Sequence, residues 1–190
     1  LVDADRKELN MAYAFDAVDI GKKKGYSLLK LKKTFTKWDS AFAKKGWLSI
    51  FLANHDVARM VSRYVNDSSK YRVVSSKMLS TLIMTLRGTP YYYNGDEIGM
   101  TNGDFKKKED FNDVAALNEF KYVEQNGGDL QKFLEYTIDN NRDNGRTPMQ
   151  WDNTKNAGFS TGNPWLKVTS NYQSINVSAE EKNNNSCLNY

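Results

Sequence analysis

Three apolar runs separated by two helical periods organise the first half of this chain. "ELNMAYAFD" (8–16) is a short apolar and aromatic run that follows charge and ends in an acid, and it predicts a buried strand. From Ser27 to Lys44, Leu28, Leu31, Phe35, Trp38 and Phe42 recur every three or four residues between lysines. That spacing predicts an amphipathic helix with Ser27 as its N-cap and Gly46 just past its end. "WLSIFLA" (47–53) predicts a second strand, and its lack of alternation fits a parallel strand buried on both faces. Tyr71, Val74, Met78, Leu82 and Leu86 mark a second helix, ended by Gly88 and Pro90, and "PYYYNG" (90–95) predicts a third strand that stops at a glycine turn. Val114–Gln125 and Leu130–Asn140 read as two shorter helices separated by Gly127 and Gly128. "NRDNGRTPMQWD" (141–152) then opens a region rich in Asn, Gly, Ser and Pro that runs without a period to "EEKNNNSCLNY".

Strand, helix, strand, helix, strand is the pattern of parallel βαβ units, an α/β fold. Such sheets carry their chemistry at the C-terminal ends of the strands, whether the sheet is open or closed into a barrel. The second apolar run stops abruptly at Asn54, His55 and Asp56, and His55 is the only histidine of the chain. At that position the trio either faces a pocket or hydrogen-bonds loop backbone.

Composition narrows the classes. The 190 residues hold 39% hydrophobic side chains, enough for one substantial core and one or at most two domains. The net charge of +4 stems mainly from two lysine triplets, Lys22–Lys24 and Lys106–Lys108, which read as solvated loop faces. A nucleic-acid binder would interleave a basic face with stacking aromatics, whereas these aromatics fall in the strands. Cys187 stands alone, which excludes an internal disulfide and a paired-thiol zinc site, and no oxygen cluster has the spacing of a calcium loop. No cofactor is implied. No apolar stretch approaches the ~20 residues that span a bilayer, and no signal-peptide pattern opens the chain. The start at Leu1 rather than Met leads us to expect a piece of something longer, so the compartment, cytoplasmic or periplasmic, is not readable from these first residues.

Three segments in a fixed order carry a resemblance. "FLANHDVAR" (51–59), "RGTPYYYNGDEIGM" (87–100) and "NRDNGRTPMQWD" (141–152) resemble the α-glucosidase and oligo-1,6-glucosidase branch of the α-amylase family. "NAGFSTGNPWLKV" (156–168) with "INV" (175–177) looks like its continuation, and "ELNMAYAFD" resembles the sixth barrel strand. The resemblance covers nearly the whole chain, and "RTPMQWD" coupled to "NHD" is highly specific.

The resemblance implies the C-terminal portion of a (β/α)₈ TIM barrel, about strands six to eight with their helices and an extended C-terminal loop region. Residues 1–168 would belong to a glycoside hydrolase catalytic barrel, and 169–190 would be a polar segment leading to a missing C-terminal β domain. It implies a retaining hydrolase of α-glucosides, working through a carboxylate nucleophile and a carboxylic acid ~5 Å apart. Asp56 matches the third carboxylate of that family, which holds sugar hydroxyls beside the reacting carbon, and His55 matches a histidine on the ring hydroxyls. Arg142 matches the arginine that recognises the terminal glucose. Asp143 and Arg146 are expected to brace that loop as mutual ion-pair partners, Arg59 to be framework, and the neighbours Asp96 and Glu97 to be scaffold rather than nucleophile and acid.

Two departures accompany these matches. The nucleophile and the general acid belong to the fourth and fifth strands and would precede residue 1, so the fragment alone is expected to be inactive. In "NDVAALNEF", Ala115 or Ala116 stands where relatives often carry an acid. The resemblance further implies an α-glucoside oligosaccharide as partner; composition points to neither nucleic acid nor membrane, and an incomplete barrel is expected to self-associate through the strand edge that "ELNMAYAFD" would expose. Linkage preference, and hydrolysis against transglycosylation or isomerisation, depend in the family on residues beside the nucleophile. A non-catalytic relative serving as an interaction or transporter-accessory domain is the alternative, though such a scaffold needs neither His55 nor Asp56.

Overall fold

A computed structural model describes residues 1–21, 27–42 and 44–190. Its centre is a three-stranded parallel sheet, in the order β1 (Ala12–Tyr13), β2 (Leu48–Ile50), β3 (Thr89–Pro90). Ala12 is in register with Leu48, and Ser49 pairs with both Tyr13 and Thr89. Helix α2 (Leu28–Phe42) links β1 to β2, and α4 (Arg72–Thr85) links β2 to β3. A helical crossover between neighbouring strands is what makes them parallel.

β1 and β2 are shorter than the apolar runs that announced them, and β3 begins at Thr89 and shares only Pro90 with the expected run 90–95. The ladder ends where the chain bends away into the strand-end loops, although Tyr91 still donates its backbone N–H to Ile50 O at 2.8 Å. All of β2 and the following Phe51, Leu52 and Ala53 are buried, as an unalternating apolar run demands. β1 is an edge strand of the described sheet, as is β3, and Leu9 and Tyr13 near it are exposed.

Helix α2 starts as its sequence predicts, with Ser27 Oγ accepting the N–H of Lys30 at 3.3 Å. It buries Leu31 and Trp38 against the sheet, and the Trp38 indole N–H donates to Asp16 Oδ2 at 3.1 Å. The Lys106–Lys108 triplet opens a turn in which Asp110 Oδ2 accepts the N–H groups of Lys106 and Lys107. The Lys22–Lys24 triplet lies outside the described residues.

Two of the five-residue helices that go beyond the sequence expectation are α1 (Asp16–Ile20) and α3 (Met60–Tyr64). Neither is long enough to display a 3.6-residue period, and both are held by side chains reaching across. Buried Arg63 donates to Leu52 O at 3.1 Å and to Val18 O, and Tyr64 Oη donates to Ala17 O at 2.7 Å. Every residue of α3 is buried, which sets the floor beneath the strand ends.

The remainder folds over the C-terminal side of the sheet. Helices α5 (Val114–Gln125) and α6 (Leu130–Asn140) keep the predicted bounds and pack on each other through Phe120 and Phe133, 4.7 Å apart at 76°. Phe105 stacks on Phe111 at 4.7 Å in the same cluster, which Leu166 closes. A second cluster gathers Ile98, Met100, Met149 and Ile175. Residues 169–190, polar and without a period, are nevertheless anchored: Arg72 of α4 meets Glu180 of α7 (Val177–Glu181) at 3.0 Å, both buried, and Glu180 also accepts the N–H of Cys187.

Asp96 and Glu97 sit in the turn after β3 with divergent roles. Glu97 accepts the N–H of Gly95 at 2.7 Å, whereas Asp96 is buried near Arg59, whose guanidinium donates to Asn94 O at 2.6 Å and lies over Tyr93. Burial, only partly offset by Arg59, pushes the Asp96 carboxyl up from the ordinary 3.8 to about 7.

Two stability predictions follow from these buried charges. Glu180→Leu strands the Arg72 cation and is expected to cost about 3–5 kcal/mol in urea unfolding, whereas Arg72→Met/Glu180→Leu together recover most of that loss; equal losses in both variants would refute the pairing. Because folded Asp96 holds its proton above its unfolded pKa, the native state binds the extra proton between roughly pH 4 and 7, and stability falls as pH rises through that window. Asp96→Asn is expected to flatten this slope, and a wild-type stability curve parallel to that of the variant over pH 4–7 would contradict it.

Candidate active site

The segment after β2 turns because of Asn54. Its Oδ1 accepts the N–H of Asp56 at 2.8 Å while its backbone carbonyl accepts that of Val57 at 3.4 Å, an Asx turn that lifts the next two side chains out of the core. His55 and Asp56 are accordingly exposed, and His55 Nε2 lies 3.2 Å from Asp56 Oδ2.

A second turn comes down onto the first. Asn141 ends α6 and accepts the N–H of Asp143 at 2.8 Å, winding Arg142–Arg146 into a tight helical turn. Gly145 is where the turns touch: a Cβ there would lie 2.5 Å from Val57 O and 3.2 Å from Asn54 O. Only a glycine permits that approach. Asn144 locks the same turn from within, accepting the N–H of Gly103 and donating to the carbonyls of Ile138 and Asn141.

The approach brings two arginines to one carboxylate oxygen. Arg146 donates to His55 O at 2.7 Å and to Asp56 Oδ1 at 2.9 Å, and Arg142 Nη1 reaches the same Oδ1 at 3.3 Å. The structure therefore places Asp56, His55 and Arg142 in one group. Its account of Arg146 differs from the expected pairing with Asp143. The Asp143 carboxylate is fully buried, and its Oδ2 accepts the backbone N–H groups of Asn112 and Asp113 at 2.7 and 2.8 Å, so Arg146 turns outward to Asp56 instead. Two main-chain donors hold Oδ2 of this buried carboxylate in place, while its Oδ1 is buried without a hydrogen-bond partner.

Asp113 is the member of the group that sequence reasoning missed. It is buried, caps α5 by accepting the N–H of Ala115 at 3.1 Å, accepts from Asn141 Nδ2 at 2.9 Å, and takes Arg142 Nη2 at 2.6 Å. Ala115 and Ala116 leave no acid at the position where one was sought, and the carboxylate that meets Arg142 is that of Asp113, two residues before Ala115. Its signal was an Asp directly before a periodic run, which reads as an N-cap and nothing more. Burial opposes ionisation of Asp113, but hydrogen bonds from Arg142, Asn141 and Ala115 outweigh it and hold the carboxyl below its ordinary range. Asp113 in turn holds the Arg142 guanidinium more firmly in its charged form.

Beside this polar group lies a cavity of about 310 Å³ at the C-terminal ends of the strands. His55 and Asp56 line it together with Tyr13, Phe15, Phe51 and Tyr91. Those rings meet edge to face, with Tyr13 and Phe15 5.8 and 5.6 Å from Phe51. Paired acceptors and forked donors beside aromatic faces suit a ligand with vicinal hydroxyls and an apolar ring face. Among the described residues no group of His, Cys, Asp and Glu side chains is placed to hold a metal ion.

Comparison with known proteins shows the family of the chain. The family model described as alpha amylase, catalytic domain, matches residues 1–190. The chain is 47% identical over 196 residues to an oligo-1,6-glucosidase of Parageobacillus thermoglucosidasius, covering 99% of this chain and 35% of that protein. It is 40% identical to a trehalose-6-phosphate hydrolase of Bacillus subtilis, over 96% of this chain and 34% of that one. Among solved structures it superposes on an isomaltulose synthase mutant of Erwinia rhapontici, determined with its natural substrate sucrose, with a TM-score of 0.94 and 40% identity, over 100% of this chain and 35% of that one. The chain thus spans about a third of the length of these relatives, and its parallel sheet with crossover helices is consistent with part of a (β/α)₈ barrel. It belongs to the alpha-amylase family, in the branch that contains the oligo-1,6-glucosidases.

Proposed function

We propose that this chain supplies the glucose-holding part of the active site of a retaining α-glucosidase, an enzyme that hydrolyses terminal α-linked glucose from oligosaccharides. In this reading residues 1–168 are strands six to eight of the catalytic barrel, and 169–190 lead toward a further β domain. The observation that carries it is the convergence of Asp56, His55 and Arg142 at the C-terminal ends of parallel strands, with Asp56 Oδ1 3.3 Å from Arg142 and Oδ2 3.2 Å from His55, beside an aromatic-walled cavity.

Each residue has a physical task. Asp56 accepts hydrogen bonds from ring hydroxyls, and its negative charge gains strength as positive charge develops on the sugar. His55 and Arg142 donate to neighbouring oxygens, the planar guanidinium matching two of them at once. The residues assembled here address the glucose unit and not the linkage. Nucleophile and general acid are assigned to other strands of the complete barrel, so this chain by itself binds and orients but breaks no bond. Self-association through the β1 edge belongs to the same reading.

In the full-length parent, Asp56→Asn is expected to keep the fold and to lower kcat on an aryl α-glucoside by ~10²-fold or more, the scale of one preorganised transition-state contact. A rate near that of the wild type would refute the role. The isolated 190-residue chain is expected to release no nitrophenol from nitrophenyl α-glucoside. Turnover by a homogeneous sample, abolished by Asp56→Asn, would overturn the division of labour.

A further inference from the structure

We propose that Asp113 is the positioning residue of this site: by anchoring one arm of the Arg142 guanidinium, it restricts the other arm to a single contact with Asp56 and so keeps that carboxylate open to a sugar hydroxyl. The inference deepens the glucose-pocket reading and rests on it for its chemistry, though not for its geometry.

The two arms of Arg142 are held unequally. Nη2 donates to the buried Asp113 at 2.6 Å, Nη1 to the half-exposed Asp56 at 3.3 Å, and Nε has no hydrogen-bond partner. A short charge-assisted bond to a buried acceptor outcompetes a long one to a solvated acceptor. Asp113 also cannot follow if Arg142 moves. Its carboxylate is fixed by the N–H of Ala115 and by Asn141 Nδ2, and its own backbone N–H is fixed to Asp143 Oδ2. Three bonds besides the one from Arg142 make it a fixed post.

Without the charge on Asp113, the nearest carboxylate open to Arg142 is Asp56. A guanidinium prefers to meet a carboxylate with two parallel bonds, and Arg146 already occupies Oδ1. A bidentate Arg142 would take Oδ2 as well, the oxygen that faces His55. The post therefore decides whether Asp56 is a sugar acceptor or merely the partner of two arginines.

His55, the only histidine, provides an unambiguous reporter, because its ring lies against Asp56 Oδ2. In the 190-residue chain, Asp113→Asn is expected to shift the His55 ring proton resonance, whereas the same substitution in an Arg142→Met background leaves it in place. Asp129→Asn serves as the control, since Asp129 caps α6 by accepting the N–H of Lys132 at 2.9 Å without an attached arginine, and it should leave the resonance unmoved. Asp113→Ser, which keeps a capping oxygen and drops the charge, should repeat the Asn result and guards against a folding defect peculiar to that variant. An unmoved resonance in both Asp113 variants, or an equal shift in the Arg142→Met background, would overturn the proposal. In the full-length parent, Asp113→Asn is expected to lower kcat/KM for an aryl α-glucoside ~10-fold, with no further loss when added to Arg142→Met. Additive losses would reduce Asp113 to a helix cap. A parent inactive on every α-glucoside would refute the glucosidase reading, while the histidine signal would still decide the positioning role.

Discussion

The backbone contact between two turns governs this site. Residues 54–57 leave the end of β2 and residues 142–146 leave the end of α6, far apart in sequence, and they meet at Gly145 with no room for a Cβ. Each turn is shaped by its own asparagine, Asn54 and Asn141, so the two surfaces are set locally before they meet. Their contact fixes the distance from the Asp56 carboxylate to both arginines. A side chain at position 145 would part the turns, and the ion-pair group with them.

Charge is handled differently above and below that contact. Beneath the strand ends two buried arginines are held by main-chain oxygens or by a carboxylate: Arg63 on the carbonyls of Leu52 and Val18, Arg72 on Glu180. Such groups hold short helices and the C-terminal segment in place, because a buried charge tolerates no other arrangement. Above the contact, Asp56 is half exposed and shared among His55, Arg142 and Arg146. In that position its ion pairs add little stability, since water screens them, but they orient the carboxylate. Rigid charges below and exchangeable ones above suit a surface that has to release its own contacts when a ligand arrives.

The aromatic wall extends the same division. Tyr13, Phe15, Phe51 and Tyr91 come from three neighbouring strands or their ends, and parallel register is what stacks them on one side. Tyr13 and Phe15 are exposed in the chain as it stands, so the strand ends combine an apolar face with a polar rim. Family membership gives that combination a context: the chain matches a catalytic domain along its whole length while spanning about a third of its relatives.

Much of this was legible in the sequence. Unalternating apolar runs and apolar periods located the parallel strands and the long helices, with α5 and α6 exact to the residue, although Tyr71, Val74 and Met78 of the period that announced α4 are exposed and the helix buries Arg72, Ser75, Ser76, Leu79 and Ile83 instead. The motifs around Asn54, His55, Asp56 and Arg142 marked the family, since residue types at fixed spacing are preserved in the chain itself. The five-residue helices left no period to read, and α1 and α3 are tied in place by Arg63 and Tyr64, which reach carbonyls more than ten residues away. The partner of Arg146, the burial of Asp143 and the place of Asp113 beside Arg142 were likewise decided by tertiary structure alone. Which carboxylate a cation finds depends on distances across 29 to 90 residues of chain, and no local pattern encodes those distances.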